Sequence, residues 1–107
     1  GLAPLRHSRQ LEAAAKRHAR DMSRRGFFSH KGSNGSNVAQ RVRAEGYGYC
    51  FVAENIAMGQ QSVSEVMQAW ANSKGHRKNM LHRKATAFGL YRAQGNIWVM
   101  VLAAPGC

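Results

Sequence analysis

The chain has 107 residues, enough for one hydrophobic core and too few for two. With 44% hydrophobic and 20% charged residues spread along its length, it reads as a folded globule and not as a disordered segment. Sixteen Lys and Arg against five acids give a formal charge of +11. That balance favours polyanions such as nucleic acids, anionic lipid surfaces or acidic envelope polymers, but the cations are scattered, and no zinc-finger or helix-turn-helix spacing points to dedicated nucleic-acid binding.

From Leu11 the residues Ala14, Ala15, His18, Ala19 and Met22 recur at helical spacing, with Ser8 as N-cap and Gly26 as the stop. Phe27 to His30 leave this helix, and a loop dense in Gly, Ser and Asn (32–37) leads to a short helix from about Val38 to Glu45, ended by Gly46. Val38 and Val42 are its expected buried pair. Aromatic and β-branched residues make Cys50 to Val52 strand-like, while Glu54 to Met58 has no decisive period. Ser62 opens a helix carrying Val63, Val66, Met67, Trp70 and Ala71 on one face, with Ser62 and Glu65 in capping-box register. A second short helix, about His76 to His82, follows a break at Lys74 and Gly75. Two strands, Thr86 to Arg92 and Ile97 to Ala103, joined by a turn at 94–96, complete the chain. The last strand is apolar on both faces, so it should lie in a sheet covered on both sides. Its apolar stretch, Ile97 to Pro105, is about half of the roughly 20 residues that span a membrane.

Few residues stand out chemically. His30 and His76 each flank a glycine-containing break, but neither has a second His at i+3 or i+4, so spacing alone argues weakly for a metal. Glu54 lies inside Phe51-Val52-Ala53-Glu54-Asn55-Ile56-Ala57, and a buried carboxylate there needs partners. Glu65 is accounted for by the cap. His18, Trp70 and Trp98 fit core positions, Asn79 fits a cap or brace for its helix, and Tyr47 and Tyr49 either rim a cleft or cover the sheet. No GxSxG surrounds Ser29, Ser33 or Ser36, which argues against a serine hydrolase. Cys50 and Cys107 are too far apart for a CxxC motif. They read as a disulfide tying the last residue to mid-chain in an oxidising compartment, or as two unrelated thiols.

Phe28-Ser29-His30, Ala53-Glu54-Asn55-Ile56-Ala57, Ser64-Glu65-Val66 through Trp70, and Gly75-His76-Arg77-Lys78-Asn79-Met80-Leu81 follow one another in an order and spacing that resembles the CAP superfamily: cysteine-rich secretory proteins, antigen 5 and plant pathogenesis-related 1 proteins, whose domain is also called SCP. The resemblance runs from about Leu5 to Leu102. It implies an α+β fold, a three-layer α-β-α sandwich with a mostly antiparallel central sheet, in a single domain over 1–107 without the family's usual first helix. It also implies a cleft tetrad at His30, Glu54, Glu65 and His76, in which the histidines hold zinc or another divalent cation and the glutamates orient them or hydrogen-bond bound water. The absence of a cysteine-rich carboxy-terminal loop resembles compact bacterial secreted members, so a secreted, periplasmic or extracellular monomer is expected.

Three functions follow from these readings. The first is a secreted module whose tetrad cleft takes a divalent metal and a small molecule, lipid or peptide. The second is a metal-assisted hydrolase with Glu54 or Glu65 as general base. The third is a cell-envelope module that binds anionic polymers through its basic surface.

Overall fold

The structure is a computed structural model that describes residues 4–106. Its elements are β1 (Arg6–His7), α1 (Arg9–Arg25), α2 (Val38–Ala44), β2 (Tyr49–Met58), α3 (Val63–Ala71), α4 (Lys74–Met80), β3 (Ala87–Ala93) and β4 (Ile97–Pro105). The strands form one sheet in the order β1-β3-β4-β2. The β2–β4 and β3–β4 pairs are antiparallel, whereas the two-residue β1 pairs with β3 in parallel, so the sheet is mixed. The short parallel strand was not anticipated, because two residues carry no alternation to read.

Alternation along β4 builds the three layers. Ile97, Val99, Val101 and Ala103 pack with Leu11, Ala14, Ala15, Ala19 and Met22 of α1 and Val42 of α2. Trp98, Met100 and Leu102 point the other way, onto Val66 and Trp70 of α3. A strand apolar on both faces therefore lies inside the sheet between two helical layers, as expected. Helix α1 approaches β3 closely at Gly89, where a Cβ would fall within the backbone of Leu11 and Glu12.

Local signals set most boundaries. Ser8 Oγ accepts the Leu11 N–H, and Gly26, at φ 67°, closes α1 with its N–H on Met22 O. Asn37 and Gln40 form a reciprocal capping box at α2. One open reading is resolved and one expectation corrected. The stretch 49–58 is one continuous strand, whose pairing with β4 extends its strand-like start through Met58. Helix α4 starts at Lys74, two residues before its expected beginning, so Gly75 lies in the first turn and does not break it.

Candidate functional site

Strand β2 is at the edge of the sheet, and its consecutive residues Glu54 and Asn55 face opposite helical layers. Each holds one of the two histidines singled out above. On the α1/α2 side, Glu54 Oε1 accepts from His30 Nδ1 at 2.8 Å and Oε2 accepts from Arg41 Nη2 at 2.9 Å. Arg41 also donates to Ser36 O and His30 O, fastening the 30–36 loop to the strand. Glu54 and Arg41 are buried, whereas the His30 side chain is 61% exposed. The conspicuous acid thus has partners of the kind its burial demands.

His18 completes this cluster from α1, its Nε2 lying 4.0 Å from Glu54 Oε1. The same nitrogen is 2.7 Å from Ser29 O, and since a carbonyl can only accept, the proton sits on Nε2. Burial pushes the His18 imidazole below its ordinary value, against the pull of Glu54. His18 also packs edge-on against Phe27, so the core role expected for it stands, with a hydrogen bond added.

On the opposite face, Asn55 donates to His76 O at 3.1 Å and accepts from Asn79 Nδ2 at 2.9 Å, which anchors α4 to the strand. Asn79 is the brace it was expected to be. His76 Nδ1 lies 2.8 Å from Ser73 Oγ. Ser73 occupies the N-cap position of α4 but makes no side-chain cap, its hydroxyl being turned to the imidazole. Trp70 Nε1 donates to Ile56 O, closing α3 onto the same edge, and its ring centre is 6.5 Å from that of His76.

The histidines differ electrostatically. The hydrogen bond to Glu54 raises His30 above its usual range, against partial burial. Burial lowers His76, and a charge on His30 lowers it further.

Glu65 sits elsewhere in the hydrogen-bond network. Its N–H donates to Ser62 Oγ and its carboxylate accepts the Gln61 N–H at 2.9 Å, so the reciprocal half of the cap reaches one residue further back than a strict capping box. The side chain bonded to His76 is that of Ser73, not Glu65. Among the described residues, no group of three or more His, Cys, Asp or Glu side chains is placed to hold a metal. Cys50 falls where the β2 register slips between Tyr49 and Phe51, and Cys107, its expected partner, lies outside the described residues. Tyr47 is buried in the α1-side core, while Tyr49 is half-buried under the Arg43 guanidinium.

Sequence reasoning missed Arg41 and Ser73. The signal for Arg41 existed: Val38, Arg41, Val42 and Glu45 follow i, i+3, i+4, i+7, so the cation shares the apolar face of α2. Ser73 to His76 is an i, i+3 pair, visible only once α4 is known to start before His76.

The family model of the cysteine-rich secretory proteins, CAP, matches residues 1–102. An uncharacterized protein of Bacillus subtilis (strain 168), YkwD, is 36% identical over 99 residues, covering 92% of this chain and 38% of that protein. An extracellular SCP-domain protein from Bacillus anthracis str. Ames superposes with a TM-score of 0.91 at 27% identity, over 95% of this chain and 34% of that one. An outer surface protein from Borrelia burgdorferi gives 0.88 at 24% identity, over 98% and 80%, a likeness of fold. The chain thus spans little more than a third of the Bacillus proteins it matches. No helix among the described residues is long and apolar enough to cross a membrane.

Proposed function

Because the chain belongs to the cysteine-rich secretory protein family, CAP, we propose that it is an extracellular binding module whose β2-edge cleft takes a divalent cation between His30 and His76 and a ligand beside it. The observation that carries this reading is the shared arrangement of the two imidazoles. Each has Nδ1 engaged, by Glu54 at 2.8 Å and by Ser73 at 2.8 Å, which orients the ring and leaves Nε2 as the donor atom. Neutral imidazole suits zinc. Two such donors fit an exchangeable ion with open positions better than a closed structural site. A bound cation there supplies a Lewis-acid centre for an anionic or carbonyl-bearing ligand.

The protein's own groups favour binding over hydrolysis. Glu54, expected as a general base, has one oxygen on Arg41 and the other on His30, and its side chain is 2% exposed. Glu65 is engaged at the start of α3. Neither carboxylate is disposed to take a proton from water in the cleft. What Glu54 does is set the His30 tautomer, holding the proton on Nδ1 so that the Nε2 lone pair faces outward.

Extracellular location is supported by the Bacillus anthracis relative, itself an extracellular protein. The β2–β4 register sets Pro105 opposite Tyr49, next to Cys50 in sequence, and the Gly106 N–H on Gly48 O, which supports a Cys50–Cys107 disulfide. Peptide mapping without reductant tests that bond.

Zinc titration monitored by thermal unfolding tests the cleft. At zinc about 100 times its dissociation constant, binding adds about 2.7 kcal/mol of stability. The rise in Tm is expected to vanish in His30→Ala and in His76→Ala, and to shrink as acid protonates the rings. An undiminished zinc response in both variants, or none in the native protein, overturns the reading.

A further inference from the structure

A groove of about 680 Å³ runs between the C-terminal half of α1 and the 32–36 loop, on the far side of Glu54 from α4. Arg17, Arg20, Arg24, Arg25 and Arg41 line it, with Asp21 as its single acid. Their roles differ. Arg41 is consumed by Glu54 and Ser36, Arg17 pairs with Glu45 at 2.8 Å, and Arg25 lies 3.4 Å from Asp21. Asp21 is further occupied by the N–H and hydroxyl of Ser33. Arg20 and Arg24 are exposed and, among the described residues, have no carboxylate within 4.0 Å. A helix rises about 1.5 Å per residue, so the backbone positions of Arg17, Arg20 and Arg24 step about 5 and 6 Å along one wall. Guanidinium is the side chain best matched to phosphate oxygens.

We propose that this groove binds a slender chain of repeating phosphodiesters, a polyol phosphate polymer of the cell envelope, with Arg20 and Arg24, the two lining arginines outside any ion pair among the described residues, as its phosphate contacts, Arg20 turning from its place over the Tyr91 ring. Arginine positions one helical turn apart along a wall fit an occupant with one charge per repeat. Concave shape disfavours a duplex, whose bulk would bridge the rim. Single-stranded nucleic acid needs open aromatic faces for its bases. No Phe, Tyr or Trp lines the groove, and nearby Tyr91 is already covered by Lys16 at 5.8 Å and Arg20 at 5.6 Å. The groove shares Arg41 and His18 with the Glu54 cluster but its proposed contacts, Arg20 and Arg24, make no bond to His30 or His76, so either proposal can fail alone.

The test is calorimetric titration of the whole chain at low ionic strength with a synthetic glycerol phosphate hexamer, and with a DNA single strand of equal charge. Arg20→Gln/Arg24→Gln is expected to weaken hexamer binding by about tenfold or more. Lys78→Gln/Arg83→Gln, which removes equal charge from exposed positions outside the groove, is expected to change it less than twofold. Both variants should keep the native Tm within a few degrees, and His30→Ala should bind the hexamer normally. Absence of hexamer binding, equal loss in both double variants, or tighter binding of the DNA strand overturns the proposal.

Discussion

Substituting Glu54 by Gln removes a charge from the centre of the site without changing its shape. Arg41 is 3% exposed and Glu54 6%, with 2.9 Å between the bonded atoms. Removing one partner of so buried a pair costs about 3–5 kcal/mol, because the remaining charge is left uncompensated. The amide oxygen keeps one bond to Arg41, and the amide NH₂ then faces His30 Nδ1, which must give up its proton and become an acceptor. This partial rescue puts the expected loss near the low end, about 3 kcal/mol, or at least about 12 °C in Tm for a domain of this size. Urea unfolding should show a lower midpoint at unchanged slope. Two readouts separate this account from simple destabilisation. NMR titration should find the His30 pKa lowered, since the Glu54 hydrogen bond is the chief cause of its elevation, and nitrogen shifts should place its proton on Nε2. A loss below about 1 kcal/mol, or Glu54→Gln and Arg41→Met effects that add within about 0.5 kcal/mol, would refute the buried-pair argument.

Gly89→Ala places a methyl group in the backbone of Leu11 and Glu12, so α1 must lift off the sheet; a loss of at least about 3 kcal/mol in urea unfolding is expected, and a near-native midpoint contradicts the close packing. Stability should also fall on the acid side. His18 and His76 are held below their ordinary 6.5 by burial, so their contribution is present above that pH and is lost as pH falls through the folded values. His30 is raised, so its contribution is complete below 6.5 and is lost as pH rises through the folded value. His30→Ala should therefore steepen the acid-side decline in unfolding measured between pH 5 and pH 8, and a flatter profile would contradict the assignment.

Where one residue decides a local structure, that structure was legible. Ser8 and Gly26 bound α1, Ser62 opens α3, and the uninterrupted apolar run of β4 announced a two-sided cover. What escaped depends on contacts between distant segments. The second half of β2 has no readable period because it faces two different cores while carrying Glu54 and Asn55, both buried and both satisfied by residues from other elements. Of the expected tetrad, Glu54 and His30 are hydrogen-bonded to each other, and the His76 ring is attached to Ser73. Glu65 could be read two ways, as cap or as site acid, and its hydrogen bonds are those of the cap.

The edge position of β2 explains why two neighbouring polar residues suffice to gather elements from both layers at one strand. An interior strand has both backbone edges paired, and its side chains reach only the layer above or below. At an edge, the outward carbonyls of Glu54 and Ile56 are taken by Asn79 and Trp70, which pulls α3 and α4 around the rim. Glu54 meanwhile draws in the loop after α1 from the opposite layer. Loop and helix therefore arrive at the same strand from two sides, each bringing one imidazole. Asn55 holds α4 through His76 O and Asn79, so Asn55→Ala should leave the Glu54 cluster intact while loosening His76 and lowering the zinc affinity proposed above. Loss of both histidines' native titration in that variant would show the two halves to be coupled through the strand.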